Sequence, residues 1–356
     1  MNDISSKRIL VTGCCGTIGR ALVRQLVRDL SPQSVIGLDN NESELFFLER
    51  QYPDSPASFY LGDIRDVERL TSLMRQVDIV FHTAAFKHVF LCERSPEGAI
   101  NNNVLGVESV ITAATRAGVE TVIFTSSDKA VNPTNVMGAS KLLGEKLFSA
   151  ANMLSSGDGP KFSTTRFGNV LGSRGSVIPV FRKQIAAGGP VTLTHPDMTR
   201  FIMSVDQAVR LVIDTASLAK GGEVFITKMP VIRIPDLAEV MRDSLAPLYG
   251  LDPRDIPIEV VGPRPGEKLY EELMNTEEVR RSIELEKYFL LVPALDNRAN
   301  DVIYDYPGSL GKGVELPYNS ANVPVMSKEE LRKMLAESGL LDRAATPATE
   351  CEQCEY

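Results

Sequence analysis

Apolar runs and amphipathic segments alternate along the first 130 residues of the chain. The apolar runs read "RILVTG", "SVIGLD", "SFYLGD", "DIVFHTAA" and "TVIFTSS", and the segments between them include "ALVRQLVRDL", "RLTSLMRQV" and "VESVITAATRAG". Nearly continuous apolar strands are buried on both faces, and amphipathic helices between them are typical of a parallel sheet. The pattern predicts an α/β fold with a doubly wound parallel sheet.

Beyond about residue 172 the pattern loosens, and proline and glycine become frequent. Segments such as "AGGPVTLTHPD", "KMPVIRIPD" and "GPRPGEK" stand between helical stretches such as "SVDQAVRLVIDTASLAKG". Proline and glycine interrupt regular structure, so this part is predicted to be a smaller lobe with long loops. The expected organisation is a first domain over 1–172, to which later segments return, a lobe mainly over 173–335, and a disordered tail over 340–356.

The composition describes a globular chain with no surplus of basic residues. Its 356 residues are 43% hydrophobic and 24% charged, and 38 Lys and Arg stand against 46 Asp and Glu, which gives a formal charge of -8. A chain of this charge is not expected to bind nucleic acid or anionic membranes. Because neither an apolar leader nor a long apolar run occurs, we expect a cytoplasmic protein without a membrane span.

The five cysteines do not indicate a disulfide framework. Cys14 and Cys15 follow the first apolar run, and Cys351 and Cys354 form a C-x-x-C pair near the end of the chain. Neither a second pair nor a nearby histidine completes four metal ligands around that C-x-x-C pair. The sequence therefore predicts free thiols, an acidic tail and no metal site.

A glycine-rich turn follows the first apolar run. In "VTGCCGTIGRALVRQL", Gly13, Gly16 and Gly19 lie between a predicted strand and a predicted helix. Glycines permit a tight turn and a close approach to a ligand, and the N-terminus of the following helix offers free N–H groups to a pyrophosphate. The spacing predicts a Rossmann domain that binds a dinucleotide.

Carboxylates end the second and third apolar runs. Asp39 can accept hydrogen bonds from both ribose hydroxyls and would repel a 2'-phosphate, which predicts NAD rather than NADP. A second interpretation, compatible with the first, is that Asp39 caps the next helix. Asp63 is placed to reach the adenine. The predicted cofactor-binding residues are Gly13, Gly16, Thr17, Ile18, Gly19, Asp39, Asp63, Ile64, Ala84, Lys87 and Lys141.

Four later motifs carry a resemblance to a known family. They read "SSDKAVNPTNVMGASK", "TTRFGNVLGSRGSVIPVF", "TRFIM" and "GPRPGEKLYEEL", and they follow the glycine turn and "TAAFKHV" in this order. Together they resemble the extended short-chain dehydrogenase/reductases, and within them the UDP-N-acetylglucosamine 4,6-dehydratases of polysaccharide biosynthesis (CapD-like). The resemblance runs from about residue 7 to about residue 290. It implies a lyase with tightly bound NAD that acts on a nucleotide sugar.

The resemblance also implies a reaction without net oxidation. Hydride leaves carbon 4 of the sugar, water is lost across carbons 5 and 6, and hydride returns to carbon 6. By resemblance, Asp128 is the acid that protonates the leaving hydroxyl and Lys129 is the base at carbon 5, while Ser127 and Lys141 act at carbon 4. These roles need a protonated Asp128 and a neutral Lys129, which only a dry site sustains.

Met137 stands where the superfamily has its catalytic tyrosine, four residues before Lys141. Members with methionine here resemble the dehydratases that retain the configuration of carbon 5, and members with tyrosine include those that invert it. A retaining enzyme is therefore expected. The alternative is a non-catalytic NAD-binding scaffold in which Met137 only fills the core. The adjacent Asp128 and Lys129 favour catalysis. A surface ion pair contributes less than ~1 kcal/mol to stability, so a non-catalytic scaffold would have little need of this pair.

A UDP sugar presents two phosphates and a uracil, which arginine forks and backbone N–H groups recognise. The resemblance places residues of "GPRPGEK" and "FGNVLGS" at the nucleotide, although each residue taken alone is more typical of a solvated loop or a cap. The predicted substrate-binding residues are Lys87, His88, Asn169, Arg174, Arg200, Arg264 and Glu267.

UDP-N-acetylglucosamine is the expected substrate. An inverting 4,6-dehydratase with 5-epimerase activity and a dehydratase for GDP-N-acetylglucosamine stay open as alternatives, because nothing in "GPRPGEK" separates uridine from guanosine. By analogy with the superfamily, a homodimer or larger homo-oligomer is expected.

Overall fold

The computed structural model describes residues 4–155, 159–263, 266–294, 302–310 and 314–342, so the C-x-x-C pair of the tail lies outside the described residues. The chain divides into two compact units. Unit 1 comprises Met1–Phe167, Asp206–Lys228 and Glu272–Tyr318, and unit 2 comprises Gly168–Val205, Met229–Glu271 and Asn319–Tyr356. The chain thus passes several times between the units.

The strands of the described residues are short and mostly apolar. They are β1 (Arg8–Thr12), β2 (Ser34–Asp39), β3 (Ala57–Leu61), β4 (Ile79–His82), β5 (Thr121–Ser127), β6 (Lys161–Phe167), β7 (Asn169–Val170), β8 (Val191–Leu193), β9 (Thr199–Met203), β10 (Val224–Thr227), β11 (Val231–Arg233), β12 (Ile258–Val260), β13 (Glu272–Met274), β14 (Ser282–Glu284), β15 (Tyr288–Leu291) and β16 (Tyr318–Asn319).

The helices begin at polar caps in several cases, with Asn41, Asp66, Asn135 and Ser327 accepting N–H groups of the first turn. They are α1 (Thr17–Gln25), α2 (Glu42–Glu49), α3 (Val67–Met74), α4 (Val89–Arg94), α5 (Pro96–Ile100), α6 (Gly106–Ala117), α7 (Val136–Leu154), α8 (Val177–Ala186), α9 (Val205–Leu218), α10 (Ile234–Leu245), α11 (Thr276–Val279) and α12 (Lys328–Glu337).

Unit 1 is built on a nine-stranded sheet in the order β14-β15-β10-β6-β5-β4-β1-β2-β3. Neighbours from β10 to β3 are parallel, and β15 and β14 add an antiparallel edge. The order 3-2-1-4-5-6 is that of a Rossmann sheet, so the predicted doubly wound α/β fold is confirmed. The strand order reverses between β1 and β4, which is where such sheets bind ligands.

Apolar side chains of the strands explain why this sheet forms. Leu10, Val80, Val122 and Phe124 project from β1, β4 and β5 into one cluster and are at most 1% exposed. Helices α3, α6 and α7 contribute Leu70, Val110 and Phe148 among others to the same cluster. Because the helices bury their apolar stripes against the sheet, the loops at its carboxyl edge are held on a rigid base.

Unit 2 has its own apolar core. It contains the antiparallel pair β9 and β11, the parallel pair β7 and β9, and the parallel pair β8 and β12. Phe181 of α8, Leu237 of α10 and Leu331 of α12 lie in its buried cluster. Unit 2 is therefore a compact unit with helices and short strands.

Candidate active site

The turn between β1 and α1 leaves no room for side chains at its first and last glycines. Gly13 has φ +70°, and a Cβ atom there would lie 2.7 Å from the Cα atom of Ala84. A Cβ atom on Gly19 would lie 2.2 Å from the carbonyl oxygen of Gly13. Gly16 begins α1 without a side-chain cap, and Thr17 and Ile18 form the first turn. The result is a backbone-lined cradle at the positive end of a helix, which fits a pyrophosphate.

The carboxylate of Asp39 lies beside this cradle. Its Oδ2 accepts the N–H of Cys15 at 2.9 Å, and its Oδ1 accepts the N–H of Asn41 at 3.0 Å. The cap of α2 is Asn41, whose side chain accepts the N–H of Glu44. Asp39 therefore does not cap the helix, and its contact with Cys15 ties the end of β2 to the glycine turn.

Two thiols lie next to the same carboxylate. Cys14, Cys15 and Asp39 offer ligand atoms within 4.8 Å of one another. The hydrogen bond to Cys15 and burial raise the pKa of the Cys14 thiol, which disfavours the thiolate that a metal requires. Because both oxygens of Asp39 already accept backbone N–H groups, this grouping fits a closed turn better than a metal site.

Asp63 and Ile64 follow β3. Asp63 pairs with Arg65 at 2.5 Å, and the hydrogen bond from Arg65 lowers the pKa of Asp63. Ile64 is buried in the core of unit 1, where a Cβ atom on Gly106 would lie 2.6 Å from its side chain. The carboxylate of Asp63 is thus occupied by Arg65, while Ile64 packs against Gly106 in the core.

The segment after β4 runs past the glycine turn. Ala84 makes the close approach to the turn, and Lys87 and His88 follow as exposed residues before α4. Although His88 is exposed overall, partial burial of its imidazole and the neighbouring charge of Lys87 lower the pKa of His88. Asn103 fixes the segment, because its side chain accepts the N–H of Phe86 at 2.8 Å and donates to the carbonyl of Phe86 at 2.9 Å.

Ser127, Asp128 and Lys129 meet at the carboxyl end of β5. Ser127 Oγ donates to Asp128 Oδ1 at 2.7 Å, and Lys129 Nζ donates to the same oxygen at 3.0 Å. Asp128 is 0% exposed, and its Oδ2 has no hydrogen-bond partner in the part of the chain that the structure describes. The cluster therefore holds a hydroxyl, a carboxyl and an amine together, with one carboxyl oxygen left for another group.

Lys141 and Met137 approach the end of β5 from α7. Lys141 Nζ donates to the carbonyl of Thr125 at 2.9 Å, and burial lowers the pKa of Lys141 to about 8. Met137, 3% exposed, packs against Cys92 and Ala99. Gly138 brings the helix close, since a Cβ atom there would lie 2.2 Å from the carbonyl oxygen of Lys129. All five predicted catalytic residues are thus placed by β5, its following turn and α7.

The remaining predicted residues belong to unit 2. Asn169 is in β7 with a buried Oδ1 that has no partner among the described residues, and Arg174 lies in a turn between two glycines of positive φ. Arg200 donates to the carbonyls of residues 199, 268 and 269, with the carboxylate of Glu267 at 3.9 Å. The Arg200 guanidinium therefore holds the 267–269 segment. Arg264 lies outside the described residues.

Comparison with known proteins places the chain in a family. The sequence model of the polysaccharide biosynthesis protein family matches residues 9–293. The chain belongs to this family. The matched span covers the glycine turn, the end of β5 and α7, so the site described above lies within the part that defines this polysaccharide biosynthesis family.

Relatives in this family cover most of the chain. A Methanocaldococcus jannaschii protein named "uncharacterized membrane protein" is 47% identical, covering 96% of this chain and 98% of the relative. The UDP-N-acetylglucosamine 4,6-dehydratase (inverting) of Campylobacter jejuni is 35% identical, covering 92% and 96%. The probable polysaccharide biosynthesis protein EpsC of Bacillus subtilis is 43% identical over 78% of this chain, which spans 46% of the EpsC length. None of the helices in the described residues is long and apolar enough to cross a membrane.

Solved structures of similar proteins share the fold. The structure of Pen from Bacillus thuringiensis is 40% identical, covers 95% of this chain and 99% of its own, and aligns with a TM-score of 0.87. The dTDP-glucose 4,6-dehydratase DesIV from Streptomyces venezuelae, solved with NAD bound, is 26% identical, covers 74% and 86%, and aligns with a TM-score of 0.65. The Rossmann architecture of this family member is thereby shown independently of the sequence motifs.

Sequence reasoning missed two groups of buried polar residues in this family member. Asn103 hydrogen-bonds Ser140 of α7 at 3.0 Å in addition to Phe86. Glu145 and Arg166 form a buried ion pair at 2.5 Å. A signal existed for the second group, because Arg166 is a charged residue in the predicted strand segment "FSTTRF" and Glu145 lies four residues after Lys141 on the same helix face.

Proposed function

We propose that the chain is an NAD-dependent nucleotide-sugar 4,6-dehydratase that converts UDP-N-acetylglucosamine to UDP-2-acetamido-2,6-dideoxy-4-keto-hexose with retention at carbon 5, for bacterial glycan or nonulosonic acid biosynthesis. The observation that carries the proposal is the buried Asp128, paired with Lys129 and Ser127 beside Lys141. The family and its dehydratase members support the reaction class.

The glycine turn of unit 1 would hold the cofactor. Gly13, Gly16 and Gly19 would let the pyrophosphate approach the backbone, and Asp39, which lies beside this turn, would accept hydrogen bonds from the ribose hydroxyls. NAD, when bound, supplies an acceptor for the hydride of carbon 4 and a donor for carbon 6. NAD bound to the related DesIV supports this choice of cofactor.

Replacing Asp39 with asparagine tests the choice of cofactor. Asparagine keeps the acceptor for the N–H of Cys15 but loses the charge that strengthens ribose hydrogen bonds, each of which contributes about 1.5–3 kcal/mol. Affinity for NAD is expected to fall about 10-fold or more, because 1.4 kcal/mol corresponds to a factor of ten. Calorimetric titration with NAD and NADP measures both affinities. Equal NAD affinity in wild type and variant would contradict the role of Asp39.

The Asp128–Lys129 pair can supply the acid and the base. One proton moved along the 3.0 Å hydrogen bond from Lys129 to Asp128 turns the ion pair into a carboxylic acid and a neutral amine. A bound sugar that excludes water favours this neutral pair, since a low-dielectric site disfavours separated charges. Lys129 then takes the proton of carbon 5, and Asp128 gives its proton to the departing hydroxyl, which restores the original pair.

The remaining residues of the proposed site bind and orient. Ser127 and Lys141 would hydrogen-bond the carbon 4 hydroxyl, whose proton passes through the Ser127 hydroxyl to solvent as hydride leaves carbon 4, while the Lys141 cation stabilises the developing oxyanion. A solvent proton returns to carbon 5 when hydride reaches carbon 6. Unit 2 would be the substrate-binding lobe and unit 1 the NAD-binding domain, and Lys87 and His88 would contact the ribose or sugar. For the nucleotide we propose Asn169, Arg174, Arg200, Arg264 and Glu267.

The product formed in deuterated water tests the proposal. Purified protein incubated with UDP-N-acetylglucosamine and NAD is expected to give a 4-keto, 6-deoxy sugar with deuterium at carbon 5 and the gluco configuration. NMR of the product measures both the isotope and the stereochemistry. Lys129→Ala is the matched variant, expected to form no product, because it lacks the proposed base.

Other outcomes select between the remaining candidates. Inversion at carbon 5 would favour the dehydratase with 5-epimerase activity, in line with the inverting relative, and would mean that Met137 does not set the stereochemistry. Turnover of GDP-N-acetylglucosamine alone would move the proposal to that substrate. Binding of NAD without turnover of either sugar would favour the non-catalytic scaffold. The proposal also includes a cytoplasmic location and a homodimer or larger homo-oligomer. Light scattering of the purified protein measures the oligomeric state.

A further inference from the structure

A buried row of polar side chains leads away from the end of β5. Lys141 and Glu145 lie four residues apart on the same face of α7, and they hold two consecutive residues of β5. Lys141 Nζ donates to the carbonyl of Thr125 at 2.9 Å, and Ser126 Oγ donates to Glu145 Oε1 at 2.6 Å. The next residue of the chain is Ser127, the first of the candidate catalytic cluster.

We propose that Glu145 is a positioning residue for the reaction: it fixes the end of β5 through Ser126 and keeps Lys141 in its protonated state. The inference rests on the proposed function, because it assigns Lys141 the task of promoting proton loss at carbon 4. Glu145 itself has no contact with the candidate catalytic cluster among the bonds that the structure describes, and acts through its two neighbours.

Glu145 is immobilised on its far side by Arg166. The guanidinium donates from Nε to Glu145 Oε1 at 3.0 Å and from its NH2 group to Oε2 at 2.5 Å. Its other donors reach Glu278 and the carbonyl of Leu273. All five N–H groups of a guanidinium are thereby used. Because Arg166 is 1% exposed and Glu145 is 4% exposed, the carboxylate cannot exchange these partners for water.

The charge of Glu145 reaches Lys141. The ionisable groups that face the lysine are Glu145 on α7, Cys92 on α4 and His82 on β4. Burial raises the pKa of Cys92, and burial together with the lysine charge lowers the pKa of His82 to about 3, so both are neutral near pH 7. Glu145 is the neighbour that offsets the effect of burial on the Lys141 cation, whose ammonium also lies 4.6 Å from the ring centre of Phe124.

The variant Glu145→Gln separates charge from shape. Glutamine retains an acceptor for Ser126 but no longer stabilises a cation, so Lys141 is expected to lose its proton at lower pH. The alkaline limb of the plot of kcat against pH should move to lower pH by about one unit. This is at the lower end of the pKa shift that one nearby charge causes. Activity near pH 8 should fall several-fold more than activity near pH 6.5.

Glu278→Gln is the matched control. It removes the same charge from the same arginine, but Glu278 contacts neither Ser126 nor Lys141 in the described structure. The alkaline limb of the kcat profile of Glu278→Gln is expected to lie at the same pH as in the wild type. An equal shift in both variants, or none in Glu145→Gln, would overturn the inference and leave Glu145 a purely structural residue.

Two further measurements keep the test independent of folding and of turnover. Ser126→Ala removes only the hydroxyl tether, and kcat should fall with an unchanged alkaline limb; an unchanged kcat would contradict the tether. In protein labelled with ε-13C-lysine, NMR follows the titration of Lys141 directly, with its signal assigned by Lys141→Arg. If the wild type lacks dehydratase activity, the proposed function fails, yet the lysine titration in Glu145→Gln still decides the role of Glu145.

Discussion

Asp128→Asn is expected to lower the rate of dehydration by about 10²–10⁴-fold, the usual contribution of a general acid. Asparagine is nearly the same size, and its Oδ1 can still accept from Ser127 and Lys129, which hold the wild-type carboxylate at 2.7 and 3.0 Å. It cannot donate a carboxylic acid proton to the leaving hydroxyl. Initial rates of 4-keto sugar formation measure the effect.

Binding separates this loss from a loss of structure. Asp128→Asn should bind NAD as the wild type does, because the glycine turn and Asp39 are untouched. Asp206→Asn is a suitable control, since it replaces an exposed aspartate paired with Arg24 at 2.9 Å and should leave both binding and rate unchanged. If Asp128→Asn kept more than about a tenth of the wild-type rate, the required acid would be another group.

The parts of the fold that follow from local pattern could be predicted from the sequence. Runs such as "DIVFHTAA" are apolar because β4 is buried on both faces, so they identify strands without further information. The antiparallel edge formed by β14 and β15 was not predicted. Its strand β14 is only partly buried, and its pairing with β15 depends on contacts that no local pattern encodes.

In the candidate site too, some features could be predicted from the sequence and others could not. Ser127, Asp128 and Lys129 are adjacent in sequence, so their assembly at the end of one strand required only that strand to be identified. The bond between Arg166 and Glu278 joins residues 112 positions apart and could be found only in the folded chain. The cap of α2 was ambiguous for a different reason. Asp39 and Asn41 are both good caps, and only backbone geometry selects Asn41.

Arg166→Met is expected to destabilise the protein by about 3–5 kcal/mol, the usual effect of removing one partner of a buried charge group. Arg166 is 1% exposed and bridges Glu145 and Glu278, which are 4% and 6% exposed. Methionine fills most of the volume but leaves two buried carboxylates without the guanidinium that pairs with both of them, and Glu278 keeps only the more distant Arg281, 3.8 Å away. Urea denaturation followed by circular dichroism measures the change in the free energy of unfolding. Arg254→Met, which breaks an exposed pair with Asp252, is the control and should have no measurable effect.

The pH dependence of this destabilisation identifies its cause. In the wild type, burial raises the pKa of Glu278, but the charge and hydrogen bonds of Arg166 lower it by more, so the net pKa lies below the ordinary value for glutamate. The ionised Glu278 therefore stabilises the fold at pH values above the ordinary glutamate pKa, and this contribution is lost as the pH falls. Without the arginine, burial raises the pKa of Glu278, and the folded variant takes up a proton that the unfolded chain does not hold. The stability difference between Arg166→Met and the wild type should therefore narrow from pH 8 to about pH 5. The triple variant Arg166→Met, Glu145→Gln, Glu278→Gln should recover much of the loss, because it also removes the two carboxylates that the arginine compensates. A difference that is independent of pH, and that the triple variant does not reduce, would assign the destabilisation to packing.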